Sequence, residues 1–279
     1  MSAQIPQFFS DPLVAAGLMA LAAQAGAYSL YWFLGDRAHR ERAMEGFERV
    51  LMSGVLFGVA LILINLSLWG LNTYLSVSGV RLPDNSAIQV LNQTKSWQDF
   101  GGNVQTALSI AASTYRSYVG AAWDILAGYM AAVVGTGILP WTSPVSMAIM
   151  NALAYIVTAA TTILISAAVY AVAAAMAYGW PAFLSIGAVL TTYERTRNLG
   201  AWLLALSVVA PVVLAAGADV LKSLVNPGNL PGIHTVTPSG AVSLIEAMVL
   251  LGLIGLVLSV STYAASRLFD HAGAHLALD

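Results

Sequence analysis

Residues 50–78 read VLMSGVLFGVALILINLSLWGLNTYLSVS and contain no Asp, Glu, Lys or Arg. A helix that crosses the roughly 30 Å hydrocarbon core of a bilayer needs about 20 mainly apolar residues. Peptide groups in lipid must also form their hydrogen bonds within their own helix, because no water is present to bond them. Residues 50–78 therefore predict a transmembrane helix.

The composition extends this prediction to the whole chain. Of its 279 residues, 58% are hydrophobic and 9% are charged, and the mean hydropathy is +0.77. A soluble domain has about 25% charged residues, so lipid must cover much of this surface. The chain has no cysteine, which excludes disulfides, thiolate metal sites and a cysteine nucleophile. The expected fold class is an all-α, polytopic transmembrane helical bundle.

Four further apolar stretches meet the same length criterion. Their orientation follows from positive charge, which is enriched in short loops on the cytoplasmic side. Arg37 and Arg40 follow the first stretch, and Arg195 and Arg197 precede the fourth. We predict a multi-pass protein of the plasma or inner membrane, with its N-terminus outside, its C-terminus inside and five spans: residues 13–34, 50–78, 145–179, 199–224 and 241–266.

The region between the second and third spans is ambiguous. Residues 106–138 are apolar enough to cross a membrane, but they contain Arg116 and Asp124, and charges at a helix centre are costly. A full crossing here would also place Glu194 and Arg197 outside, against the positive-inside rule. We therefore predict that residues 79–144 are external and that 106–138 form a re-entrant or interfacial helix. Six spans are the open alternative.

The sequence offers little catalytic chemistry. It has no phosphate-binding Gly-x-x-x-x-Gly-Lys loop and no Gly-x-Ser-x-Gly elbow, and its four histidines lie outside the predicted spans. We expect no cofactor, no metal site and no enzymatic activity. Arg116, Asp124 and Glu246 are candidate intramembrane or pore-lining polar residues. Thr158, Thr162 and Ser166 recur every four residues and form one stripe, for which helix packing and pore lining are the alternatives.

Residues 180–204, WPAFLSIGAVLTTYERTRNLGAWLL, form the most distinctive segment. Pro181 begins a short apolar run, Thr196 and Arg197 end it, and Trp202 opens the next span. This unit resembles the TrbL-type polytopic inner-membrane subunits of type IV secretion and conjugation systems, as does the predicted topology. Within that group, the modest length and the lack of a long soluble C-terminal extension are most similar to CedA, the membrane component of the crenarchaeal exchange-of-DNA import system.

The resemblance implies a channel or channel-scaffold subunit of a DNA-translocation machine. Its partners would be further copies of itself, membrane lipid, pilin-like small membrane subunits and a separate ATPase, with DNA as a cargo bound without sequence specificity. The cytoplasmic mouth would be formed by five arginines: Arg37, Arg40, Arg42, Arg195 and Arg197. The alternative role of these arginines is to set topology and to contact lipid head groups. Two alternatives to the whole function are a secondary transporter of a small solute and a non-transporting membrane scaffold.

Overall fold

The computed structural model describes residues 12–78, 86–92, 97–137, 143–225 and 238–275. These ranges form seven α-helices, and no strand occurs among them. The predicted all-α class is therefore confirmed. In chain order the helices are α1 (Pro12–Leu34), α2 (Arg37–Ser78), α3 (Ala87–Asn92), α4 (Trp97–Gly137), α5 (Ser143–Leu190), α6 (Arg197–Leu224) and α7 (Pro238–His275).

Five of these helices are long and apolar enough to cross a membrane. The segments that meet both criteria are Val14–Leu34, Arg37–Leu71, Ala160–Leu190, Arg197–Leu224 and Ile245–His271, and each overlaps one of the predicted spans. The chain is thus a multi-pass helical bundle. Its orientation stays a prediction, because the helix geometry is the same whichever end of the bundle faces the cytoplasm. Its exact number of spans also stays a prediction. Of the predicted external segment, residues 79–85, 93–96 and 138–142 lie outside the described residues.

Helix α6 is the centre of the bundle. It packs against α2, α3, α4, α5 and α7, and most of its length is buried. Its buried face is rich in small residues such as Gly200, Ala205 and Ala215, which let neighbouring membrane helices approach closely. Helices α2, α4, α5 and α7 surround α6, whereas α1 packs against α2 and α5.

Two helices are longer than the spans predicted within them. Helix α2 begins at Arg37, so the basic cluster is helical, and the predicted span at 50–78 is its second part. Helix α5 continues through Pro181 to Leu190, eleven residues beyond the predicted end of the span at residue 179. Proline removes one backbone N–H from a helix. Pro181 is buried in the bundle, where packing with neighbouring helices holds the segment helical.

Helix α4 lies beside α6 and runs in the same direction. Near its beginning, the Phe100 ring contacts the Trp180 ring at 5.9 Å between centroids, and the Trp180 indole bonds to Ser207 on α6. Further along, the Tyr115 hydroxyl bonds to Leu214. At 1.5 Å per residue, Ser207 and Leu214 lie about 15 Å and about 26 Å along α6 from its first residue. Helix α4 therefore starts beside the first half of α6 and passes its last turn.

Candidate functional site

Helix α4 has two chemically different faces. The buried face packs on the bundle through Phe100, Val104, Leu108, Ala111, Tyr115 and Tyr118. The opposite face is exposed, and at 100° per residue its members lie within a sector of about 100°. We call it the polar stripe, and its members are Gly102, Thr106, Ser109, Ser113, Arg116, Ser117, Gly120 and Asp124.

The hydroxyl groups of the polar stripe donate to the backbone of α4 itself. Thr106 donates to the Gly102 carbonyl at 2.8 Å, Ser109 to the Thr106 carbonyl at 2.7 Å, and Ser113 to the Ile110 carbonyl at 2.8 Å. Each hydroxyl proton is thus satisfied, and its oxygen lone pairs remain available to solvent. The hydroxyl groups of the stripe therefore present hydrogen-bond acceptors to solvent, while their own protons are already bonded.

The two charged residues of the stripe lie towards one end of it. Arg116 follows Tyr115, whose hydroxyl lies at the level of Leu214 on α6. Asp124 is two turns further along α4, about 12 Å along the helix axis. The two side chains share the exposed face, but they form no ion pair with each other or with any other described residue.

A buried carboxylate holds the helix that precedes α4. Asp219 on α6 is 3% exposed and accepts hydrogen bonds from the Ser86 hydroxyl at 2.5 Å and from the backbone N–H groups of Ala87 and Ile88 at 3.0 and 2.9 Å. The first N–H groups of a helix lack partners within it. Asp219 thus caps the beginning of α3, while the Ser86 hydroxyl also accepts from the Gln89 N–H at 3.1 Å. We call this arrangement the Asp219 latch.

Two buried tyrosines attach α4 to the same half of α6. The Tyr115 hydroxyl donates to the Leu214 carbonyl at 2.8 Å. The Tyr118 hydroxyl donates to the Leu221 carbonyl at 3.2 Å and to the Val225 carbonyl. The Leu221 carbonyl also accepts the Val225 N–H at 2.8 Å, so the tyrosine hydroxyl is its second donor. The second half of α6 therefore offers one carboxylate and several carbonyl oxygens that position both α3 and α4.

A proline in α6 creates the acceptor for a third attachment. Pro211 has no N–H, so the carbonyl of Ser207, four residues earlier, lacks its helical donor. The fully buried Trp180 indole donates to that carbonyl at 2.8 Å. Freed carbonyls inside membrane helices need such partners. Trp180 therefore links α5 to α6 at the point where the α6 hydrogen-bond ladder is broken.

At the other end of α6, charged side chains join α2, α6, α7 and the turn between α5 and α6. Arg49 on α2 contacts Glu194 at 2.8 Å, and Arg197 at the start of α6 contacts Asp270 on α7 at 3.3 Å and also donates to the Asp270 carbonyl. The turn between α5 and α6 is closed by the Thr196 hydroxyl, which donates to the Leu190 carbonyl at 2.9 Å. We call these contacts the corner cluster.

The predicted mouth arginines differ in their contacts and in their exposure. Arg197 belongs to the corner cluster and is half-buried, whereas Arg195 is exposed. Arg37 is exposed and lies 3.6 Å from Glu41, and Arg40 donates to the Gly35 carbonyl and lies over the Trp32 ring. Arg42 is exposed.

Asp36 begins the segment that carries three of these arginines. The His39 backbone N–H donates to the Asp36 carboxylate at 3.0 Å, and the His39 ring nitrogen lies 2.6 Å from the same oxygen. These contacts hold the pKa of the Asp36 carboxyl below its usual range. Asp36 therefore stays ionised at neutral pH and partly offsets the arginines around it.

The remaining predicted residues are separated along the chain. Pro181 lies inside α5, about 14 Å along the helix axis from its last residue, whereas Thr196 and Arg197 lie where the turn meets α6. Trp202 is 44% exposed on α6, and Glu246 is exposed on α7.

Two of the three hydroxyl residues that recur along α5 have described side chains. Thr162 and Ser166 are buried, and the Ser166 hydroxyl donates to the Thr162 carbonyl at 2.6 Å. This favours helix packing over pore lining for these two residues. The Thr158 side chain lies outside the described residues.

Sequence reasoning did not identify the Asp219 latch or the polar stripe. Asp219 had a signal, because it is the only acidic residue in the predicted span 199–224. The polar stripe also had one, since Thr106, Ser109, Ser113 and Ser117 follow a helical spacing of three and four.

These features define a multi-pass helical membrane protein with a polar exposed face on α4. No protein-family model, curated protein or solved structure matches the chain. Among the residues that the structure describes, no group of three or more His, Asp or Glu side chains is placed to hold a metal ion.

Proposed function

We propose that this protein is a channel-forming or channel-lining subunit of a DNA-translocating membrane complex, in which the polar stripe of α4 lines the passage. The observation that supports a channel is the position of the polar stripe along the bundle. Thr106, Ser109 and Ser113 lie between the levels of Ser207 and Leu214, and therefore within a layer of about 30 Å that starts at the corner cluster.

The other exposed helix faces at this depth differ sharply from the stripe. The exposed face of α2 carries Leu51, Val55, Val59, Ile62 and Leu66, and that of α7 carries Val249, Leu253, Leu256 and Val260. Such faces suit contact with lipid tails. A face of hydroxyls and glycines that continues into two charged residues suits water, because charged groups in lipid carry a large desolvation cost.

One stripe does not enclose a passage, so the proposal requires several copies. Copies arranged with α4 inwards would surround a hydroxyl-lined path and leave the apolar faces of α2 and α7 towards lipid. In this arrangement α3 and the first half of α4 form the re-entrant element, since irregular backbone at membrane depth is tolerated where it lines a water-filled cavity. The homo-oligomer is therefore part of the same proposal.

The assignment of DNA as cargo rests on the resemblance of residues 180–204 to the TrbL-type subunits. The chemistry of the chain is compatible with it. Arg116 lies in the second half of the stripe, and Arg42 and Arg195 are exposed at the end of the bundle that carries the corner cluster. Phosphate groups bind such cations without regard to base sequence. A separate ATPase and pilin-like small subunits would supply energy and partners, as the resemblance implies.

The absence of cysteine makes the lining directly testable. In membranes containing Ser109→Cys or Ser113→Cys, a charged thiol reagent should modify the cysteine and reduce the ion current through the reconstituted protein. Leu253→Cys is the matched control: it is exposed on α7, about 26 Å from Asp270, and it should face lipid and stay unmodified. Equal labelling of both sites, or a lack of any current in the parent protein, would refute the lining.

DNA transport needs its own experiment. Replacing Arg195 and Arg197 together by Gln should weaken DNA transfer in cells, because it removes cationic side chains from the predicted inner mouth. A reporter fused to the C-terminus checks that the spans keep their orientation. Wild-type transfer with unchanged topology would remove these two residues from the proposed mouth.

A further inference from the structure

We infer that Arg116 is the residue that makes the passage selective for anions, as a ring of guanidinium groups near its outer end. The inference rests on the proposed function, since it takes the polar stripe as the lining. Its ligand class is the anion, either a small inorganic ion or the phosphate groups of a polyanion.

The first step concerns the surroundings of Arg116. Its side chain is exposed on the stripe, and it takes part in none of the four ion pairs found among the described residues. Ser113 and Ser117 flank it on the same face, and their hydroxyl protons are donated to the carbonyls of Ile110 and Thr114. The neighbouring hydroxyls therefore leave the guanidinium as the main donor to an anion at this point.

The second step concerns Asp124, the only acidic residue of the stripe. It lies about 12 Å from Arg116 along the helix axis. Charges in water that are further apart than about 8 Å are largely screened at physiological ionic strength. Asp124 therefore leaves the Arg116 charge largely uncompensated, and it should act as a separate and opposing ring further out.

The third step concerns the contrast with the other arginines. Arg49 and Arg197 are tied to Glu194 and Asp270, and Arg37 lies near Glu41. Arg116 instead lies on the proposed lining itself, near the level where the spans end. A ring of charges between low-dielectric walls concentrates ions of opposite sign. Guanidinium groups also bind phosphate in a bidentate manner.

The test is the reversal potential of the reconstituted full-length protein in a potassium chloride gradient. We expect Arg116→Gln to lower the permeability ratio of chloride to potassium several-fold, and Arg116→Lys to retain most of it. Asp124→Asn should raise the ratio. Arg267→Gln is the matched control. Arg267 is exposed on α7, away from the stripe, and its guanidinium bonds only to Tyr263 among the contacts found. The permeability ratio of this variant should equal that of the parent.

A second readout separates the two kinds of anion. A short oligothymidylate added on the side of Arg116 should block the current of the parent and of Arg116→Lys, but not that of Arg116→Gln, if the site takes phosphate polyanions. If the oligothymidylate blocks neither the parent nor Arg116→Lys, and Arg116→Gln still changes the chloride ratio, the site is assigned to small anions. An unchanged ratio in Arg116→Gln, with normal current and normal block, overturns the inference and leaves the channel intact. A lack of current in the parent refutes the proposed function instead.

Discussion

The two ends of α6 attach neighbouring helices with polar groups, but in opposite environments. In the corner cluster, the Arg49 and Glu194 side chains are 40% and 73% exposed. In the latch, Asp219 is 3% exposed, and Tyr115 beside it is fully buried. Water competes for the hydrogen-bonding groups of the corner cluster. In the Asp219 latch, water cannot replace a lost partner, because the groups are buried. Similar bonds should therefore contribute very differently to the free energy of unfolding.

The sharpest test of this difference is Asp219→Ala. The change leaves the N–H groups of Ala87 and Ile88 and the Ser86 hydroxyl without their acceptor, and each buried unsatisfied group costs about 1–3 kcal/mol. We expect the free energy of unfolding to fall by about 3 kcal/mol or more, measured by thermal loss of helical circular dichroism in detergent. Asp219→Asn should be intermediate, because its amide retains one acceptor oxygen.

An Ala variant as stable as the parent would show that the latch is not buried from water. Asp219→Ala should also change the labelling of Ser113→Cys, since α3 and α4 would lose their position on α6. Unchanged labelling together with lower stability would make Asp219 a residue of stability alone.

The next test concerns Trp180 and the gap in the α6 ladder. Trp180→Phe keeps most of the ring but leaves the Ser207 carbonyl without a donor, and should cost about 2 kcal/mol in the same unfolding measurement. Adding Pro211→Ala restores an N–H four residues after Ser207. The double variant should therefore lose clearly less than the sum of the two single changes. Strict additivity would mean that Pro211 does not create the acceptor that Trp180 fills.

The sequence predicts the parts of this architecture that depend on local composition. Apolar runs of sufficient length predict the five candidate membrane spans, because a span needs about 20 such residues whatever it packs against. A turn was also predictable, since the polar residues 191–198, which include Thr196 and Arg197, separate two apolar runs. The end of α5 was less predictable from Pro181, because proline weakens a helix only locally and a buried segment is held by its neighbours.

The Asp219 latch could not be predicted from a local sequence pattern. Asp219 and Ile88 are 131 positions apart, and no periodicity links a single acid in an apolar helix with the beginning of a six-residue helix. The polar stripe could be predicted only in part. Its spacing is visible in the sequence, but the depth of Ser113 in the bundle depends on the bond between Tyr115 and Leu214, which only the fold reveals.

A smaller effect is expected at the tyrosines. Tyr115→Phe removes one hydroxyl and leaves the Leu214 carbonyl without its side-chain donor, which should cost about 1 kcal/mol. Tyr118→Phe should cost a similar amount, because its hydroxyl bonds to the carbonyls of Leu221 and Val225. Thermal unfolding in detergent measures both. An effect as large as that of Asp219→Ala would mean that the tyrosines, and not the carboxylate, hold α4 on α6.

The smallest effects should come from the corner cluster, and their dependence on salt identifies them. Arg49→Gln and Glu194→Gln should each cost less than about 1 kcal/mol, because exposed ion pairs gain little in water. Arg197→Gln should cost more than either, since the Arg197 and Asp270 side chains are only 22% and 29% exposed. In a double-mutant cycle, the coupling between Arg49 and Glu194 should fall as salt is added, whereas the cost of Asp219→Ala should stay constant. A salt-independent coupling at the corner would mean that other copies of the chain cover it, and both ends of α6 would then lie in buried environments.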